Sequence, residues 1–162
     1  MRTMDLTRIE DAILDEGVVT RYRALIHPHP TASGCWVWLG ALSAQGSGRF
    51  WVRQGHVMVA HRFGIALARG VAALSPLQVA HVCDEAWCQN PEHWEPATAR
   101  KNTLDWIVRR QRLGNPLRDT RGALGRAKAA RFAARSGADI TAALVAGAPE
   151  LDRLQDALPG ID

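Results

Sequence analysis

Three observations in this 162-residue chain predict an α+β fold. Short runs of aromatic and β-branched residues, separated by turn residues, fill the region from Gly34 to Val59. Amphipathic helical patterns flank that region, and a tight group of Cys and His lies between His81 and His93. At 17.7 kDa the chain is expected to form one domain with appendages, large enough to bury a core. Apolar residues make up 47% and charged residues 22%, the balance of a folded globular protein. No run approaches the ~18 apolar residues of a membrane span. The start, Met1 to Asp5, lacks the apolar core of a signal peptide, so an intracellular protein is expected.

In order along the chain, Leu6, Ile9, Ile13 and Leu14 are spaced for one face of a helix from Leu6 to Gly17. Val18 to Ile26 reads as a second helical piece, ended by His27-Pro28-His29-Pro30, since each proline biases its predecessor away from helix. His27 and His29 in such a loop read as surface residues before they read as ligands. Cys35 to Leu39, Arg49 to Val52 and Val57 to Val59 predict two or three antiparallel strands. A short helix follows from His61 to Arg69, entered from Ala60 and closed by Gly70. Gln78 to Val82 predicts a strand, Pro91 to Pro96 an irregular turn, and Thr98 the N-cap of a helix running to about Leu113 with Gly114 as its stop. Asn102 and Trp106 stand one turn apart on that helix and share a face. Beyond Pro116, helices are expected at Arg121 to Ser136, Ile140 to Ala146 and Glu150 to Leu158, in a weakly anchored tail.

Charge is unevenly distributed. The formal net charge is +4, but residues 100–135 hold 11 Lys/Arg against 2 Asp/Glu. Arginine at that density predicts a phosphate-contacting surface; a solvated helix face is the alternative. The six tryptophans read mainly as core volume for a small domain, with base stacking as the other use.

The cluster carries the chemistry. Zinc takes four tetrahedral Cys or His ligands, and Cys83-x4-Cys88-x4-His93 offers three on one loop. Cys35 is either the fourth ligand or a small buried hydrophobe; the frequency of Cys3His sites favours the ligand. His81, two residues before Cys83, points to the same side of a strand. It competes as a ligand, yet with four others available it suits a general base near neutral pH. Asn102 offers the neutral amide oxygen that Mg²⁺ accepts.

The pattern His81-x-Cys83-x4-Cys88-x4-His93-x8-Asn102 resembles the HNH nucleases of the His-Me finger (ββα-metal) superfamily, in the branch common in phages and mobile elements. It is also similar to the His-Cys box homing endonucleases. Gly34-Cys35-Trp36-Val37-Trp38, Gly48-Arg49-Phe50 and Ala60-His61-Arg62 extend the resemblance over roughly Gly34 to Leu113. It implies a ββα-metal core with antiparallel hairpins, a zinc knuckle and flanking helices. It also implies DNA phosphodiester hydrolysis with His81 as general base, Asn102 holding one Mg²⁺ or Mn²⁺, and structural zinc on Cys35, Cys83, Cys88 and His93. Arg49 would approach the scissile phosphate, and Asn90 would brace the knuckle. Many members carry an acidic metal ligand where this chain has Ala80.

Double-stranded DNA is the implied partner, contacted by Arg62, Arg100, Lys101, Arg109 and Arg110, in the cytoplasm of a bacterial or phage-infected cell. A monomer would nick one strand and a homodimer could cut both. The expected division is an N-terminal helical segment at 1–33, the nuclease domain at 34–114 and a basic then acidic helical extension at 115–162. Two other readings remain: a zinc-stapled DNA-binding protein without cleavage, and a phage-assembly partner docking through the tail from Ala138 to Asp162.

Overall fold

The computed structural model describes residues 6–31, 34–74 and 78–155. Two helices come first, α1 (Leu6–Leu14) and α2 (Glu16–Ala24). The single helix expected through Gly17 breaks at Asp15, whose carboxylate accepts from the amides of Gly17 and Val18 at 2.8 and 3.1 Å and so caps a new helix. Burial of Ile9 and Ala12 on α1 and of Val18 and Tyr22 on α2 fixes the pair to the core.

The strand region forms two small antiparallel sheets. One pairs β1 (Ile26–His27) with β2 (Val37–Trp38); the other orders β3 (Ala41–Leu42), β4 (Gly48–Arg53) and β5 (His56–Val59) as β3-β4-β5. β4 alternates strictly, with Gly48, Phe50 and Val52 inward and Arg49, Trp51 and Arg53 outward. Phe50 joins Tyr22, Trp38 and Phe63 in an aromatic cluster; Phe50 and Phe63 lie 4.8 Å apart between ring centroids and Tyr22 and Phe63 5.0 Å. Phe63 belongs to α3 (Ala60–Arg69), which ends at Gly70 in a left-handed conformation, φ 80°, that glycine adopts without strain. A Cβ at Gly64 would collide with the Tyr22 hydroxyl and the Trp94 indole, so glycine lets α3 approach both.

A second antiparallel pair follows, β6 (Gln78–His81) and β7 (Trp94–Ala97), with His81 opposite Trp94 and Gln78 opposite Ala97. This corrects the expected irregular turn: Pro91–His93 is a 3₁₀ turn, and the chain then runs as a strand through Pro96. A two-stranded sheet leaves each strand an outer edge, where proline's missing N–H breaks no ladder bond. Helix α4 (Ala99–Arg109) begins as expected, with the Thr98 hydroxyl accepting from the Lys101 amide at 3.1 Å. It stops at Arg109, short of Leu113, and the chain continues in turns to Gly114.

The tail is more firmly held than its sequence suggests. Helix α5 (Gly122–Ser136) buries Ala127, Ala130 and Ala133, and the first two pack with Val37, Trp87 and Cys88. Arg126 meets the buried Glu85 carboxylate at 2.6 Å and Asp119 at 3.1 Å, while Arg131 and Arg135 donate to the carbonyls of Gly40 and Leu39 at 2.8 and 2.6 Å. Burial pushes Glu85 up to about 7 despite the opposing pull of Arg126. After α6 (Ile140–Val145), helix α7 (Glu150–Gln155) brings Asp152 to Arg118 at 2.7 Å and to the Gly114 amide at 3.0 Å. Residues 156–158, the expected end of the last helix, and the rest of the acidic tail lie outside the described residues. Among those described, no helix is long and apolar enough to cross a membrane.

Candidate metal centre and adjoining pocket

The loop between β6 and β7 gathers the metal-ligating side chains. Cys35, Cys83, Cys88 and His93 bring one ligand atom each within 4.8 Å of one another. Cys35 reaches the loop because its segment pairs with it: Val37 bridges Cys88 in antiparallel fashion, and the Gln89 amide donates to the Trp36 carbonyl at 2.9 Å. His93 Nδ1 lies 3.5 Å from Cys35 Sγ and 3.4 Å from Cys88 Sγ. With Zn–S about 2.3 Å and Zn–N about 2.0–2.1 Å, a tetrahedral zinc separates sulfur from nitrogen by about 3.5 Å. The donor set and its spacing therefore fit zinc.

The thiol chemistry agrees. Hydrogen bonds from Cys35 and then Cys83 hold the Cys88 thiol down to about 4, and sharing its proton with Cys83 and Cys88 pushes Cys35 far up. Three thiols so close ionise together only if a cation takes the place of their protons. Asn90 supports the loop as expected. Its Nδ2 donates to the Gly34 carbonyl at 2.7 Å, its Oδ1 accepts from the Glu92 amide at 3.0 Å, and its backbone N–H donates to Cys88 Sγ at 3.4 Å.

Beside the knuckle lies a pocket of about 370 Å³ lined by Ser47, His61, His81, Asp84, Asn102 and Trp106 among others. His81 stands at the end of β6 and Asn102 on α4, so this sheet and helix bring the two together. His81 Nε2 is 3.1 Å from the Cys88 carbonyl, which also accepts from Trp94 Nε1 at 3.2 Å. A carbonyl only accepts, so Nε2 carries the ring proton and Nδ1 keeps a lone pair. Burial, partly opposed by the charge of Cys83, holds His81 below its ordinary value and so neutral.

His61 packs edge-on against His81 with centroids 4.6 Å apart, and its buried Nδ1 has no hydrogen-bond partner among the described residues. Burial first, then His81 and Arg62, hold it well below the usual imidazole value. Asp84 also lines the pocket, a residue the spacing argument passed over. It adopts φ 58°, a conformation Asp tolerates, and both its oxygens are engaged, Oδ1 by Arg109 at 3.2 Å and Oδ2 by Asn115 Nδ2 at 2.9 Å. Its place between two cysteines was visible in the sequence; its orientation depends on that turn.

Arg109 lines the same pocket, whereas the other expected site residues lie elsewhere. Arg49 is on the outward face of β4 and does not line the pocket. Arg62 donates to the Leu74 carbonyl at 2.9 Å. Lys101 pairs with Glu95 and Asp105 at 3.1 and 2.7 Å, and Arg109 is held by the end of β6. Arg100 is exposed, as is Arg110, whose guanidinium covers the Trp106 ring at 4.4 Å. His27 and His29 are not part of the metal-ligating group. Of the tryptophans, 38, 87 and 94 are buried as core, whereas Trp51 and Trp106 are about half exposed.

The chain is similar to Protein 2.8 of Escherichia phage T7, 36% identical over 78 residues. The match covers 48% of this chain and 52% of that protein, so the chain spans about half the length of this relative. No family model and no solved structure matches the chain.

Proposed function

We propose that the chain is a metal-dependent DNA endonuclease of the HNH type. Its ββα-metal unit would be β6, the knuckle, β7 and α4, with structural zinc on Cys35, Cys83, Cys88 and His93. The observation that carries this reading is the state of His81. Its Nε2–H is tied to the Cys88 carbonyl, leaving Nδ1 as acceptor on a ring that lines a pocket with Asn102. In that role Nδ1 takes the proton of an attacking water, and the neutral ring is the form able to do so.

The Asn102 amide oxygen suits a largely hydrated hard cation and would hold Mg²⁺ or Mn²⁺. When bound, that ion supplies charge stabilisation at the phosphate and the leaving oxygen. The knuckle fixes His81 by anchoring the carbonyl that holds its ring. One such centre per chain would nick one strand of double-stranded DNA, and a homodimer would cut both. The likeness to a phage protein accords with action in the cytoplasm of a phage-infected cell.

Ala80 favours a second reading, a zinc-stapled DNA-binding protein without cleavage. Ala80 is buried, and the pocket's only lining carboxylate among the described residues, Asp84, is already engaged. The deciding experiment incubates zinc-loaded protein with supercoiled plasmid, in Mg²⁺ or in EDTA, beside His81→Ala. Nicked or linear product that requires Mg²⁺, and a rate at least about 100-fold lower in His81→Ala, is the expected result. Salt-dependent retardation with no product would instead support the binding protein. Equal cleavage by His81→Ala would remove His81 from the mechanism.

A further inference from the structure

Helix α4 carries Asn102, yet none of its residues is buried, and Leu104, Ile107 and Val108 are each about half exposed. Apolar packing therefore does little to hold it against β6. Its attachments are polar. Lys101 meets Glu95 in an exposed pair that contributes little. Arg109 does more. Its Nη1 is within 3.2 Å of the His81 carbonyl, 3.4 Å of the Val82 carbonyl and 3.2 Å of Asp84 Oδ1, and Nη2 is 3.6 Å from Asp105. Arg109 and Asp84 expose only 17% and 9% of their side chains, so water screens this pair weakly.

Arg109 lies two helical turns beyond Asn102 and thus on the same face. The His81 carbonyl it holds also accepts from the Asp84 amide at 3.2 Å. Nη1 thereby ties the helix of Asn102 to the backbone of His81, while Nε and Nη2 rest on Asp105 of the same helix and fix the aim of the planar group, which a flexible lysine ammonium lacks.

We infer that Arg109 is a positioning residue and not a phosphate contact: it latches α4 to the end of β6 and sets the separation of Asn102 from His81. The inference rests on the nuclease reading for its catalytic consequence. Asp84 is the second half of the latch, and Asn115 steadies it from the turn after α4.

The test compares Arg109→Gln, Arg109→Lys and Asp84→Asn with the native protein by plasmid nicking, Mg²⁺ titration, DNA affinity against salt, and hydrogen exchange in α4. As a latch, Arg109→Gln and Asp84→Asn each lower kcat at least tenfold and raise the Mg²⁺ requirement. DNA affinity, its salt slope and zinc content stay as in the native protein, and Arg109→Lys recovers only part of the loss. A phosphate contact gives the opposite pattern: Arg109→Gln weakens binding and reduces the salt slope by about one, while Asp84→Asn cuts normally or faster. That result would overturn the latch, as would unchanged kcat in Arg109→Gln. If the native protein makes no Mg²⁺-dependent product, the nuclease reading fails by itself. Hydrogen exchange then decides the latch alone: faster exchange across α4 in Arg109→Gln upholds it, and unchanged exchange ends it.

Discussion

His61 illustrates how burial decides the state of a single ring. Its imidazole is enclosed against His81 and near Arg62, and no described group accepts or donates at Nδ1. An unfolded histidine titrates near 6.5, whereas the folded ring stays neutral to well below that. Above about 6.5 neither state binds the proton. Below it the unfolded chain does and the folded one does not, so stability is lost as pH falls, by up to about 1.4 kcal/mol per pH unit. His61→Phe keeps an edge-on aromatic contact and removes the titration. Its loss of denaturation midpoint between pH 7.5 and 5.5 should be smaller than the native protein's, and parallel curves would contradict this account. At this scale the sequence was informative where ligands are contiguous: Cys83, Cys88 and His93 sit on one loop, and metal stoichiometry pointed to Cys35. It was silent on Asp84, because the turn that aims its carboxylate is a backbone conformation and has no side-chain signature.

Elements were legible in proportion to their local signals. Thr98 starts α4 because its hydroxyl caps the Lys101 amide, and the alternation of β4 follows from Phe50 and Val52 facing inward. β7 was missed because Pro91 precedes it and Pro96 lies within it, and proline argues for a turn unless the strand has an open edge. The anchoring of α5 was missed for a different reason. Ala127, Ala130 and Ala133 offer little apolar area to a sequence pattern, yet the small size of Ala127 and Ala130 is what admits close contact with Trp87 and Cys88. That predicts intolerance of larger residues. Ala130→Leu, at a fully buried position, should destabilise the protein by about 1–3 kcal/mol in urea unfolding. No change would mean that α5 lies loosely on the knuckle.

Across the whole molecule, composition alone gave a misleading picture of charge. Residues 100–135 carry 11 Lys/Arg, but Lys101, Arg109, Arg118, Arg121, Arg126, Arg131 and Arg135 are engaged with carboxylates or carbonyls of the same chain. Arg100, Arg110, Arg112 and Lys128 keep exposed side chains outside these pairings. If the chain binds DNA as proposed and those four make the main phosphate contacts, its affinity should fall with salt at a slope of about −4, not the roughly −10 that the full block would give. A titration in KCl measures it, and the steeper slope would show that the internal pairs open on DNA. Cys88 gives the fold a final consequence. Its sulfur faces the metal ligands while its carbonyl, a few bonds away, holds His81 and Trp94. Anything that strips or oxidises that sulfur is felt at the imidazole as a changed hydrogen-bond partner. On the nuclease reading proposed above, metal occupancy and proton-accepting capacity would then form a single variable, and a preparation short of zinc would contain fewer competent molecules, each competent one still working at full speed.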